Sequence, residues 1–139
     1  MSIEKVRAYF EHFGIADRIR EFDVSSATVE LAAVAVGVEG ARIAKSMSFK
    51  LADDAPIIIV TAGDRKIDEV EARIGHAPGG VCSFALPENV KTYLDVSLKR
   101  FDTVFPAAGS ANSAIEMTCD ELEKYSSNFV AWVDVCKEK

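Results

Sequence analysis

The sequence predicts a single α/β or α+β domain, and three observations carry that expectation. Apolar residues recur at helical spacing in capped segments, while short runs between them alternate or are β-branched. The two kinds of segment mix without the regular βαβ succession of a doubly wound sheet. The length, 139 residues, fits one domain with little left for a linker.

The elements follow in order. Ser2 is placed to cap a helix in which Ile3, Val6, Phe10 and Phe13 share one face, with Gly14 as its stop. Residues 19–24 alternate like a strand. After a turn at Ser25 and Ser26, Thr28 opens a second helix carrying Leu31, Ala32 and Ala35 and ending at Gly37. The strand predicted over 42–51 puts Ile43, Lys45, Met47, Phe49 and Leu51 on one face, apolar except for the lysine. A turn over 53–56 leads to a strand over 57–61, β-branched and apolar enough to be buried on both sides. Residues 62–65 close it, and Lys66 to Ile74 reads as a short charged helix, with Asp64 and Asp68 as turn and helix-start residues. Residues 75–80, Gly-His-Ala-Pro-Gly-Gly, are the densest group of chain-bending residues. Strands are predicted over 90–95, 103–105 and 114–117, with a flexible loop at 109–113. Thr118 and Glu121 form a capping box for a helix over 120–125, and 130–135 is read as the last strand.

Composition narrows the function. With 49% hydrophobic and 27% charged residues, the chain has the profile of an ordinary globular protein. The apolar run Pro56–Val60 is far too short to span a bilayer, and the start Met1-Ser2-Ile3-Glu4-Lys5 lacks a signal pattern, so a cytoplasmic location is expected. The net charge of −6 is uneven: residues 1–39 carry −3, residues 40–100 carry +1 and residues 101–139 carry −4. A general nucleic-acid binder would be basic overall; any nucleic-acid contact is expected in the middle third. Cys82, Cys119 and Cys136 are widely spaced, with only His12 and His76 as histidines. No zinc-ligand grouping or cofactor motif is visible, so reduced thiols and no bound metal or cofactor are expected.

Three features could carry chemistry. Lys45, on an apolar strand face, either faces solvent at a sheet edge or aims its ammonium into a cavity, where it would hold a carbonyl, carboxylate or phosphate. The glycines of 75–80 can gather backbone N–H groups around an anion, or simply serve a tight connection. Loop 109–113 offers two hydroxyls and an amide in a chain able to approach a ligand. His76 lacks a visible carboxylate partner, and Cys82 a histidine.

Several of these segments, in order, resemble the YbaK/EbsC family, which includes the editing domain of bacterial prolyl-tRNA synthetase. They are Arg42–Phe49, Val60–Arg65, Gly75–Val81, Val90–Phe101 and Pro106–Ser110. The resemblance implies a compact domain over residues 1–139, with a curved mixed sheet flanked by helices. It also implies a trans-editing deacylase that cleaves the ester joining a wrong amino acid to tRNA. On that basis Lys45 corresponds to the essential lysine. Thr28, Ser46, Pro78, Gly79, Gly80, Gly109 and Ser110 correspond to substrate-binding positions. The chain departs from the family in three places. The Gly-Asp-Arg and glycine-loop segments abut near Asp68 and Glu69, where relatives have an extra helix; Val96 stands where an acidic residue is common; and Phe22 stands where some members have tyrosine.

The resemblance further implies metal-independent hydrolysis of a Cys- or Ala-tRNA(Pro)-type substrate held by its 3′ end. A synthetase or elongation factor is the expected partner; the short apolar runs predict no membrane association, and a monomer is the simplest reading of a compact acidic domain. Two other readings use the same residues: a non-catalytic module binding an amino-acid-like ligand or a protein, and a thiol enzyme acting through Cys82.

Overall fold

In a computed structural model of the chain, residues 3–25, 28–50, 56–67, 79–80, 83–86, 88–109 and 112–138 are described. Helix α1 (Ile3–Glu11) buries Val6 and Phe10 and gives way to Gly14 at φ +73°. Helix α2 (Val29–Val36) has both expected ends: the Thr28 hydroxyl accepts from the Leu31 N–H at 3.1 Å, and Gly37 closes it in the left-handed region at φ +85°. Helix α3 (Cys119–Tyr125) carries the expected capping box, in which Thr118 and Glu121 each bond the other's backbone N–H.

Seven strands form one mixed sheet. β2 (Ile43–Lys50) pairs along its length, antiparallel, with β3 (Pro56–Ala62). β3 pairs parallel with β6 (Lys91–Asp95), and β6 parallel with β10 (Phe129–Val133). On the other side, β2 pairs with β5 (Gly79–Gly80) and β7 (Thr103–Pro106), and β7 with β9 (Met117–Thr118). Two small ribbons flank this sheet: β1 (Ile19–Glu21) with β8 (Ser113–Ile115), and β4 (Arg65–Ile67) with β11 (Cys136–Glu138).

Alternation along β2 and β3 divides the core. One sheet face, with Ala44, Ile58, Val60, Ala62 and Leu94, packs under Val6 and Phe10 of α1 and Leu122 and Tyr125 of α3. The opposite face carries two apolar patches. Ile43 and Phe105 sit under Ala32 of α2, and Phe49, Ile57 and Ile59 lie with Met47, Tyr93 and Cys136. Lys45 stands between these two patches on that face.

The structure differs from the sequence reading at several points. β1 ends at Glu21 rather than 24, because the Phe22 N–H and carbonyl are taken by Asn112, at 2.8 and 3.0 Å. Leu31 and Val34 of α2 face solvent (46% and 81% exposed), while Val29, Ala32, Ala33 and Val36 meet the sheet. Apart from Glu30 this helix is apolar all round, so periodicity does not set its phase. Lys66 and Ile67 are strand, not the start of a helix, since β11 pairs with them. The segment read as 114–117 divides into β8 and β9, and β10 is followed by a further strand, β11. The caps and turns expected at Ser2, Ser26 and 53–55, and the remainder of the helix expected over 68–74, lie outside the described residues.

Candidate functional site: a lysine at a divided sheet edge

The site is built by the edge of β2 opposite β3. On that edge β7 runs parallel, with Phe105 opposite Ile43 and Pro106 opposite Ala44. β5 runs antiparallel, with Gly80 opposite Met47 and Gly79 opposite Ser48. Both strands therefore run toward the Lys45–Ser46 step from opposite directions. Two strands meeting end to end on one edge cannot both continue, so the edge is divided at that step. Lys45 lies at the division, with the glycine strand on one side and the chain leaving β7 on the other.

The chain leaving β7 passes the buried Ala108 and reaches Gly109 at φ +100°, a conformation that glycine alone adopts without strain. Asn112 then fastens this loop to Phe22 through its carbonyl and its Nδ2.

Lys45 is half-buried, and its Nζ donates to the Arg65 carbonyl at 2.7 Å. Arg65 follows the two-residue turn Gly63–Asp64, which connects β3 to β4. Asp64 receives a two-pronged pair from Arg100, which holds its carboxyl below the usual carboxylate range. Ser46, the next residue on β2, is buried on the opposite face, under the α1–α3 layer. Its side chain is therefore not brought to Lys45. Thr28 is exposed and its hydroxyl caps α2. Pro78, Ser110, His76 and Cys82 lie outside the described residues.

A cleft of about 270 Å³ is lined by Arg65, whose carbonyl receives Lys45 Nζ, and by Asp95, Val96, Ser97, Arg100, Asp134 and Cys136. Asp95 is buried and accepts from the backbone N–H groups of Ser97 and Val135, both at 2.9 Å. Burial first, and then the Asp95 charge, push the Cys136 thiol up to about 12, which keeps it a protonated, unreactive group. Among the described residues no three His, Cys, Asp or Glu side chains gather as a metal-ligand set.

Sequence reading singled out Lys45 and the two glycine-containing loops; in the structure Gly79 and Gly80 pair with β2 on one side of the Lys45–Ser46 step, and β7 ends on the other. Sequence reading missed Arg65, whose backbone holds the ammonium, and Arg100. Asp64 was read only as a turn residue. The sequence signal was the Gly63-Asp64-Arg65 triplet, but its partner lies 36 residues away.

Comparison with known proteins adds to this geometry. A family model for an aminoacyl-tRNA editing domain matches residues 66–125. The uncharacterized protein YwhH of Bacillus subtilis (strain 168) is 48% identical over 156 aligned positions, covering 99% of each chain. Those 156 positions exceed the 139 residues here, so the relative carries at least 17 residues without a counterpart in this chain. Among solved structures, a proposed trans-editing enzyme for prolyl tRNA synthetase superposes with a TM-score of 0.81 at 23% identity, covering 97% of this chain and 96% of that one. Hypothetical protein APE2540 gives 0.80 at 23% identity, covering 96% and 99% respectively. A chain described in work on grafting epitopes onto scaffold proteins gives 0.82 at 21%, covering 99% and 97%. The likeness to these three structures is one of fold.

Proposed function

Because the chain belongs to the aminoacyl-tRNA editing-domain family, we propose that it is a trans-editing deacylase. It would hydrolyse the ester joining a wrong amino acid to the 3′ end of a tRNA, with Cys- and Ala-tRNA(Pro) as the first candidate substrates. The observation that carries this reading is Lys45, whose backbone stands at the divided edge of β2 between the Gly79–Gly80 strand and the end of β7, and whose ammonium is held by the Arg65 carbonyl.

The mechanism assigns each group a role. Lys45 orients and polarises the aminoacyl carbonyl or an adjacent phosphate. Backbone N–H groups around Gly79 and Gly80 receive the oxygen as it becomes an oxyanion, each such donor lowering the barrier by about 3 kcal/mol. A water attacks the carbonyl carbon and passes a proton, through a hydroxyl of the substrate, to the ribose oxygen. The ester C–O bond then breaks, and the terminal ribose hydroxyl leaves carrying a proton. Cys136 has no part in this, since its thiol stays protonated. Gly109, Thr28, Pro78 and Ser110 keep their assignment as substrate-binding positions, Pro78 and Ser110 lying outside the described residues. Ser46 contributes through the backbone of β2, since its side chain faces the other layer.

The amino acid is selected by pocket size, which separates residues differing by one methylene by only about 10- to 200-fold. A protein with a net charge of −6 attracts tRNA weakly from a distance. Recognition of the tRNA body therefore falls to a synthetase or elongation factor that presents the 3′ end to a monomer. Among the described residues no helix is long and apolar enough to cross a membrane. We place this work in the cytoplasm.

The test is release of amino acid from a panel of mischarged tRNAs by wild type and Lys45→Ala. Release by wild type, reduced about 100-fold or more in the variant, is the expected result. Equal release by both removes Lys45 from the mechanism. No release by folded wild type favours a binding module on the same fold.

A further inference from the structure

We propose that Asp64 and Arg100 are positioning residues for Lys45, acting through the Arg65 carbonyl; this rests on the deacylase reading above. A lysine has a flexible four-carbon stem, so its charge is only as well placed as the group that receives it. Here that group is the Arg65 carbonyl, 2.7 Å from Nζ.

The position of that carbonyl is not set by the main sheet. Arg65 begins β4, which has three residues and, among the described residues, pairs with β11. What holds it is the preceding turn, gripped on two sides. On one side Gly63 lies so close to the Gly40 carbonyl that a Cβ would fall 2.2 Å from its oxygen. On the other, the Asp64 carboxylate accepts from Arg100 Nη1 at 3.1 Å and Nη2 at 2.5 Å. Two parallel bonds fix a carboxylate in direction as well as distance.

Arg100 is held in turn. Its Nε donates to the Ser97 carbonyl at 2.9 Å, across the 3-10 turn Val96–Arg100. Ser97 Oγ accepts from the Ala62 N–H at 3.2 Å, tying this 3-10 turn to the end of β3. Asp95 caps the same turn through the Ser97 N–H. The buried Asp95, the 3-10 turn, Arg100, Asp64 and the Arg65 carbonyl thus form one hydrogen-bonded chain ending on the lysine.

Stability does not explain this pair. The side chains are 42% and 35% exposed, and an ion pair that open to water contributes little to folding. Its distinctive product is the placement of one carbonyl.

The experiment compares wild type with Arg100→Gln, Asp64→Asn and Arg100→Lys on the mischarged tRNA that wild type hydrolyses best. The first two should lower kcat by about 10- to 100-fold with KM nearly unchanged, the effect of misplacing a reacting group by about an ångström. Arg100→Lys, which keeps the charge without the fork, should recover part of the loss. In a Lys45→Ala background, Arg100→Gln should cost nothing more. The melting temperature should move by less than about 3 °C.

A second readout needs no turnover: the ε-carbon NMR resonance of Lys45, identified by its loss in Lys45→Ala, should move in both Arg100→Gln and Asp64→Asn. An unchanged kcat with an unmoved resonance overturns the proposal. So does a loss of kcat that persists in the Lys45→Ala background, or one matched by a large fall in melting temperature. If folded wild type hydrolyses no substrate, the deacylase reading fails, and the resonance alone decides the clamp.

Discussion

Replacing Glu121 by Gln tests how the N-terminal third is joined to the sheet. Arg18, in the 3-10 turn after α1, donates to Glu121 through Nη1 at 2.8 Å and Nη2 at 3.1 Å, and to the Glu116 carbonyl at 2.6 Å. Hydrogen bonding to Arg18, outweighing partial burial, lowers the Glu121 carboxyl from 4.5 to about 2. A depression of that size corresponds to about 3 kcal/mol, at about 1.4 kcal/mol per unit. The two side chains are 31% and 36% exposed, so screening by water cuts this to about 1.5 kcal/mol. Because the folded carboxyl ionises more readily than the unfolded one, the contribution is complete above pH 4.5. It fades as pH falls toward 2, where both states become protonated. Glutamine keeps one oxygen for the Thr118 N–H, so the capping box survives in part and the ion pair is what is lost. Urea unfolding of both proteins at several pH values should show wild type ahead by about 1.5 kcal/mol at pH 7, with the gap closing by pH 2. A gap that stays constant across that range, or is absent at pH 7, would refute the assignment to the ion pair.

Two further outcomes follow from the site. Gly63→Ala would drive a Cβ to 2.2 Å from the Gly40 oxygen and 2.8 Å from Val29 Cγ1, and should lose about 1–3 kcal/mol in urea unfolding. Gly40→Ala meets only Val29 Cγ1, at 3.4 Å, and serves as the milder control. Cys136, its thiol pushed up to about 12, should react with iodoacetamide at pH 8 at least a hundredfold more slowly in native protein than in urea, as read by peptide mass. Labelling at the rate of an unfolded cysteine would show that Asp95 and burial do not protect it.

What could be read from the sequence was what neighbouring residues decide. Thr28 and Gly37 mark the ends of α2, and Thr118 and Glu121 the start of α3, because a cap is a contact over three or four residues. β2 and β3 stood out through their patterning, and Lys45 as the one charge on an apolar face. β4, β5 and β11 have two or three residues each, and their pairing is set by partners 31 to 73 residues away. The Asp64–Arg100 pair was invisible for the same reason, and the phase of α2 because apolar residues surround that helix.

The division of the β2 edge explains why a lysine and two glycine-bearing loops belong to one site. β7 is parallel to β2 and β5 antiparallel, so the two approach the same step head-on, and the chain leaving β7 has to depart from the sheet there. That departure leaves the Lys45 backbone step as the floor of an opening in an otherwise continuous sheet. On one side Gly109 is needed for its positive φ, and on the other Gly79 and Gly80 pair with Ser48 and Met47. The floor is rigid because β3 pairs with β2 along its whole length, from Ala44 to Lys50. The lysine stem has four rotatable carbons, and its end is tied to a carbonyl on a ribbon outside that sheet. Precision at the reacting atom therefore depends on the turn that carries Arg65, which is why a partly exposed ion pair of little value to folding can matter to turnover.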